Sequence, residues 1–318
     1  TLLAKARETL SVEDFYDPGD TDSQAWQKAL NRLNDLGGGT LIASRLSYDL
    51  DTELVFSGLG LVRAVTIDAR GAIFTTGAGV NGVMSIVGNS YSCGVAINNF
   101  IVDHTANDSA VYGFRQAGTA NVSWPGCFVR GGGDHPPEYA AWLGQQIDPD
   151  NNATACFWTM FGGARCHGEI NPIPNGVVLE GSANATDFHG FDGRSCINHI
   201  VLRYPAGSTL PDDEKGTPNG VRVVGGFFEG GTNGVLFQGV PSSYGPYGLL
   251  VDSRFEAITN MVNLQGATKN YRQPGAVIVS MALQSVTNIL VNPNGLQFQT
   301  LDLRSLSGST ELFTRGWK

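Results

Sequence analysis

Residues 227–239 read FFEGGTNGVLFQG and residues 254–266 read RFEAITNMVNLQG. At an offset of 27 residues, seven of the thirteen positions are identical: Phe, Glu, Thr, Asn, Val, Gln and Gly. A period between 20 and 50 residues is the mark of solenoids, propellers and repeat arrays. The unit is an Asn-Gly turn signal followed by a short apolar run, which reads as turn then strand, with no helical spacing inside it. The same signal recurs as NGVMSIVG at 81, NGVVLEG at 175, NGVRVVGG at 219, NGVLFQG at 233 and NMVNLQG at 260. A β-solenoid accounts for this best, because one coil cannot bury its inner face alone and stacked coils can. The expected fold class is all-β, a β-solenoid with long loop insertions and a short capping helix at its N-terminal end. Stacking puts Asn233 under Asn260 and Phe228 under Phe255. Strand alternation then turns Glu229 and Glu256 outward if the phenylalanines face the core.

Composition agrees. Charged residues are 15 % of the 318, and 42 are glycine, nearly twice average usage. A net charge of −9 argues against nucleic acid as a partner. No apolar run reaches the roughly 18 residues of a membrane helix, so no membrane insertion is expected. The start at Thr1, without Met or a leader pattern, is expected of a processed fragment. Five cysteines at wide spacings, with no C-x-x-C, read as buried thiols, and neither a metal site nor a cofactor is expected.

Polar stretches interrupt the repeat at 131–156, 182–195, 205–218 and 240–247. They read as insertions, which in solenoids gather on the binding face. Near the start, Thr21 and Gln24 can form a capping box, Ala25, Trp26, Ala29, Leu30, Leu33 and Leu36 follow at helical spacing, and Gly37 to Gly39 end the helix. Four regions follow: 1–10 a neck or linker, 11–40 the first strand and capping helix, 41–270 the parallel β-helix, and 271–318 either last coils or a trimerisation region.

The stretch SVEDFYDPGDTDSQAWQKALNRLNDLGGGTLIASRLSYDLDTEL resembles the N-terminal signature of the pectate-lyase-like right-handed parallel β-helix proteins of bacteriophage tails, the tailspikes and capsule depolymerases. Val12, Asp14, Phe15, Gly19, Asp20, Thr21, Asp22, Gly37 to Gly39 and Tyr48 stand at matching places. Tyr16-Asp17-Pro18 and Ser23 depart from the pattern. The likeness covers about residues 11–54 and carries no catalytic residue. It implies a homotrimeric spike, joined through its N-terminus to tail or baseplate proteins. On the virion, such a spike binds and usually cuts a bacterial surface polysaccharide.

Glycoside hydrolysis needs two carboxylates, about 5–5.5 Å apart for retention. Equivalent positions on adjacent strands lie about 4.8 Å apart, so Glu229 and Glu256 are the leading catalytic pair, with Asp252 as a third acid. The repulsion of two close carboxylates favours one neutral acid. Alternatively the glutamates only pair with Arg222, Arg254 or backbone donors at a coil corner. A second cluster is Glu180, stacked on Gln238 and Gln265, with Asp187 and Asp192. Trp142, Trp158, Tyr139, His189, Arg194 and Tyr244 are candidate substrate-binding residues, since aromatic rings pack on the C–H faces of sugars. Trp142 and Trp158 could equally be anchors for their loops. Three functions stay open: an endo-acting depolymerase, hydrolase ahead of lyase; a non-catalytic receptor-binding adhesin; and a secreted pectin-type enzyme. The insertions tilt the reading to the first.

Overall fold

A computed structural model of the chain describes residues 9–58, 61–89, 94–131, 134, 136–144, 156–204, 209, 217–239, 248–265, 276–291 and 300–303. Every strand pairing among them is parallel, and each strand pairs with those one coil before and after it. The result is the right-handed parallel β-helix that the repeat and the N-terminal resemblance together lead one to expect, with three strand segments per coil stacked into three ribbons.

The first ribbon includes Thr9–Ser11, Gly39–Ile42, Val65–Asp68, Val95–Asn98, Met160–Gly162 and Asp187–His189. The second includes Ser47–Leu50, Ile73–Thr76, Ile101–Asp103, Phe128–Gly131, Arg165–Gly168 and Asp192–Arg194. The third includes Leu54–Gly58, Met84–Asn89, Tyr112–Ala117, Tyr139–Leu143, Ile173–Glu180 and Cys196–Arg203. The long strands Arg222–Gln238 and Leu249–Gln265 bend through all three. They pair position for position along the repeat: Phe228 with Phe255, Glu229 with Glu256, Asn233 with Asn260 and Gln238 with Gln265.

The core is a set of columns running through the coils. In the second ribbon, Tyr48, Phe74, Val102, Val129, Cys166, Gly193, Phe228 and Phe255 occupy one register position in turn. Their side chains are almost fully buried. Identical shapes one strand spacing apart can stack, and Tyr48 lies on Phe74 at 5.3 Å between ring centroids and Phe228 on Phe255 at 5.0 Å. In the third ribbon, asparagines form a ladder. Asn198 donates to Asn175, Asn233 to Asn198, Asn260 to Asn233 and Asn288 to Asn260, all at 2.7–3.0 Å. These bonds satisfy polar side chains that the stacking buries.

The helix α1, Asp22–Asp35, closes the N-terminal end. Its capping box is formed, with Gln24 N–H donating to Thr21 Oγ1 at 3.3 Å and Thr21 N–H to Gln24 Oε1 at 3.0 Å. Trp26 plugs the open core, 5.3 Å from Tyr48, 5.4 Å from Phe74 and 5.7 Å from Phe100. Gly38, at φ 123°, approaches the Arg63 backbone where no side chain fits. The signature residues are structural: Asp22 accepts from Tyr16, Arg45 and the Asp49 N–H. Thr9 and Leu10, assigned by sequence to the neck segment, are the first residues of the strand Thr9–Ser11. Toward the other end, Ala276–Gln284, Asn288–Val291 and Thr300–Leu303 extend the same stacks.

Two assignments need correction. The stretch 182–195 is not an insertion, because it contains Asp187–His189 and Asp192–Arg194, two strands of one regular coil. The stretch 131–156 likewise contains the strand Tyr139–Leu143. Short strands rich in Gly, Asp and His lack the apolar alternation that marks a strand in sequence. The connections after residues 143, 203 and 238 each join a third-ribbon strand to a first-ribbon strand. No helix among the described residues is long and apolar enough to cross a membrane.

Candidate functional site

The outward face of the second ribbon carries two columns. One holds Phe128, Arg165, Asp192, Phe227 and Arg254, and the other Asp103, Arg130, His167, Arg194, Glu229 and Glu256. This register brings Asp192, Arg194, Glu229 and Glu256, assigned by sequence to two separate clusters, onto one surface. Arg194 joins them. Its Nε lies 2.9 Å from Asp192 Oδ1 and its Nη1 3.7 Å from Glu229 Oε2. His167 Nε2 is 3.4 Å from Asp192 Oδ2. Arg254 pairs with Glu256 at 2.8 Å. The guanidinium groups of Arg194 and Arg254 each lie 5.1 Å from the Phe227 ring centroid. Cations over a ring are attracted by its π-system, so Phe227 packs within a layer of charged groups.

Most neighbours in these columns offset one another. Asp103 meets Arg130, Arg165 lies over Phe128 at 4.8 Å, and Arg194 meets Glu229. Glu229 and Glu256 break the pattern, being like charges at directly paired positions, an arrangement that is destabilising on a sheet. Glu229 keeps 44 % of its side-chain surface exposed and Glu256 24 %, so both open to solvent.

The remaining candidates separate onto other ribbons. Asp252 lies in the first ribbon, in register with Val224, and a register irregularity between Ser253 and Arg254 divides it from Glu256. Ser253, buried at that corner, accepts from the Gly226 N–H and donates to the Val223 carbonyl. Asp187 is also on the first ribbon, paired with Arg222 of the next coil, and His189 Nε2 is 3.8 Å from its carboxylate. Trp158, entering this ribbon at φ 52°, is 56 % exposed and offers a free ring surface.

Glu180 differs most from its expected place. The sequence reading stacks it on Gln238, but Arg203 stands between them in register. Glu180 is 2 % exposed and forms a 2.6 Å ion pair with Arg203. Trp142 Nε1 donates to the same carboxylate at 3.2 Å, and Arg203 donates to Tyr139 Oη at 3.3 Å. Tyr139 and Trp142 therefore hold a buried cluster on the third ribbon together with Arg203, a residue that sequence reasoning missed. The signal was its position 23 residues after Glu180, one shorter coil on. Tyr244 lies outside the described residues.

Among the described histidines, His104 is a satisfied core group. Its Nε2 donates to the Tyr112 carbonyl at 3.1 Å, and Nδ1 accepts from the Thr76 hydroxyl at 3.0 Å. Burial lowers its pKa to about 4. Among the described residues, no group of three or more His, Cys, Asp or Glu is placed to hold a metal ion.

No family model and no curated protein matches the sequence. Solved structures do match in fold. A tailspike double mutant of E. coli bacteriophage HK620 superposes with a TM-score of 0.60 at 12 % identity, covering 100 % of this chain and 67 % of that one. A second double mutant of that tailspike, in complex with a pentasaccharide, gives 0.53 at 10 % identity over the same shares of the two chains. The endo-xylogalacturonan hydrolase of Aspergillus tubingensis gives 0.46 at 11 % identity, covering 95 % of this chain and 100 % of that one. At such identities the likeness speaks for the architecture, and the chain has the parallel β-helix fold that the phage tailspike is built on.

Proposed function

We propose that this chain is the β-helical body of a phage tailspike that binds and hydrolyses a bacterial surface polysaccharide, with Glu229 and Glu256 as its catalytic carboxylates. The observation that carries the reading is their pairing in register on an open face whose other charges are mostly offset. Paired positions on adjacent strands lie about 4.8 Å apart, so side chains projecting together would bring the two carboxyl groups to the separation of a retaining glycosidase. Glu256, 2.8 Å from Arg254, is the nucleophile. Glu229, 3.7 Å from Arg194, is the acid that protonates the leaving oxygen and then the base that activates water. Arg194 and Asp192 bind sugar hydroxyls beside the pair, and Trp158 and His189 extend the surface around the first-ribbon corner. The tailspike neighbour solved with a pentasaccharide supports carbohydrate as the ligand class. A trimer with its N-terminus toward the tail completes the proposal.

A second reading, the non-catalytic adhesin, draws on the ion pairs: Glu229, Glu256, Asp187 and Asp192 each have a cationic partner. A third is a lyase, with Arg194 as the base. Product analysis separates them. The protein is incubated with a panel of capsular and O-antigen polysaccharides, and its products are sized by mass. New reducing ends without ultraviolet-absorbing unsaturated sugar support hydrolysis. Unsaturated ends establish a lyase. Binding with no cleavage of any bound polymer overturns the enzyme and leaves the adhesin.

A further inference from the structure

The solenoid core holds a reactive-looking cluster that no polysaccharide chemistry uses. Cys166 and Cys196, 1 % and 0 % exposed, have their sulfurs 3.5 Å apart, and His199 is buried beside them. Cys166 belongs to the second ribbon and Cys196 begins the third-ribbon strand of the following coil. Three glycines clear the space. A side chain at Gly176 would meet Cys166 Sγ at 3.1 Å, one at Gly193 would meet His199 Nδ1 at 2.5 Å, and one at Gly231 would meet His199 Nε2 at 3.3 Å. The column that is aromatic or aliphatic elsewhere narrows here to Cys166 and Gly193, and the imidazole fills the gap.

The tautomer of His199 is fixed by its surroundings. Nε2 is 2.9 Å from the Gly230 carbonyl, which can only accept, so Nε2 carries the proton. Nδ1 is then a bare lone pair, buried and without a hydrogen bond. A small cavity of about 10 Å³, room for the centre of one water-sized molecule, is lined by Cys166, Cys127, Phe114, Phe161 and Phe191. The thiols in this region differ in character. Burial pushes Cys127 up to about 12. Cys196 is pulled down, chiefly by its hydrogen bond with the Cys166 thiol and further by His199, while Cys166 moves up.

We propose that Cys166 and Cys196 are a peroxide-convertible dithiol, with His199 as its base, that closes into a disulfide stapling two successive coils. The Cys196 thiol passes its proton to His199 Nδ1, and the thiolate attacks one oxygen of hydrogen peroxide. The O–O bond breaks, Cys196 becomes a sulfenic acid, and the departing hydroxide recovers the proton as water. The Cys166 thiol then attacks the Cys196 sulfur, the S–O bond breaks, and the second hydroxide leaves with the Cys166 proton as water. Two thiols and one peroxide become one disulfide and two waters. Closure to an S–S bond of about 2.05 Å requires a sulfur shift of about 1.5 Å, within reach of side-chain rotation.

The test treats the folded protein with hydrogen peroxide, unfolds it in an alkylating reagent, and maps the digest by mass spectrometry with and without dithiothreitol. The expected product is a reducible peptide pair joining Cys166 to Cys196, lighter by two hydrogens. Cys127 stays a free thiol, and a Cys127→Ser variant gives the same cross-link. His199→Gln is expected to slow its formation by about tenfold or more. Full alkylation of both cysteines after peroxide overturns the proposal, as does over-oxidation of either without a cross-link. Unchanged kinetics in folded His199→Gln overturns the role of the imidazole.

Discussion

The outward faces of the second and third ribbons are built on the same backbone repeat, yet they are opposites. On the second, Asp192, Arg194, Glu229, Arg254 and Glu256 form an open layer of alternating charge. On the third, Tyr112, Tyr139, Val178, Val201 and Leu236 are at most 5 % exposed and form their own apolar cluster, with the buried Glu180 paired to Arg203 beside it. The contrast lies in the side chains, because the third ribbon carries Tyr, Val and Leu where the second carries Asp, Arg and Glu. In a solenoid the repeat decides which residues are neighbours, and the side chains at those positions decide what each face offers to solvent.

The comparison breaks most visibly in activity. Glu229→Gln or Glu256→Gln is expected to reduce polysaccharide cleavage by about 10²–10⁴-fold, the usual worth of a positioned acid or base, with the thermal midpoint little changed. Glu180→Gln should do the reverse. It removes the carboxylate partner of the half-buried Arg203 guanidinium, at a cost of about 1.5–3 kcal/mol, read as a fall in the denaturant midpoint. Activity per folded molecule should be retained. Equal stability losses for Glu180 and Glu229 variants would erase the distinction between the faces.

Acid should act through the core before it acts on the open face. The folded state holds His104 neutral down to about pH 4, whereas the unfolded chain takes the proton near 6.5. Between those values the unfolded state binds more protons, so stability falls as pH drops from about 6.5 to 4, by up to about 3 kcal/mol. Urea titrations across that window should show the slope, and His104→Gln should flatten it. Asp103, one residue away, acts lower. Burial alone would raise its pKa, but hydrogen bonds from Thr105 and Arg130 outweigh that and bring it below the usual carboxylate value. Its contribution is present at neutral pH and is lost only as pH falls through that lowered value.

The smallest expected effect is in the asparagine ladder. Asn233→Ala removes the bond to Asn198 and strands the amides of Asn260 and Asn263, costing about 2 kcal/mol. Asn175→Ala, at the less buried end of the ladder, should cost under about 1 kcal/mol. Equal costs would show that burial does not set the ladder's worth.

What the sequence disclosed follows the same division. The Phe, Glu, Asn and Gln pairings of the two long strands could be read residue by residue, because a conserved 27-residue spacing is itself the register. The capping box and Trp26 were legible because local hydrogen bonding and helical spacing need no distant partner. Coils of unequal length were not. Glu180 was set against Gln238 because the coil between them carries Arg203 in a strand, Cys196–Arg203, without the Asn-Gly mark. Asp187–His189 and Asp192–Arg194 read as loop because two strands of three residues joined by a two-residue turn hold too little pattern. The meeting of Asp192 with Glu229 through Arg194 depends on those coil lengths, so the joint surface appeared only in three dimensions.

The account stands on Glu229 and Glu256 working as one catalytic unit, and the most direct measurement is a double-mutant comparison of cleavage rates. The Glu229→Gln, Glu256→Gln and combined variants are assayed on a polymer the wild type cuts, with binding to that polymer checked for each. Residues that act as a unit lose activity non-additively. The account therefore predicts that each single variant binds normally and is nearly inactive, and that the double variant falls little further. A silent single variant, or losses that simply multiply, would contradict it and move the chemistry elsewhere on the solenoid.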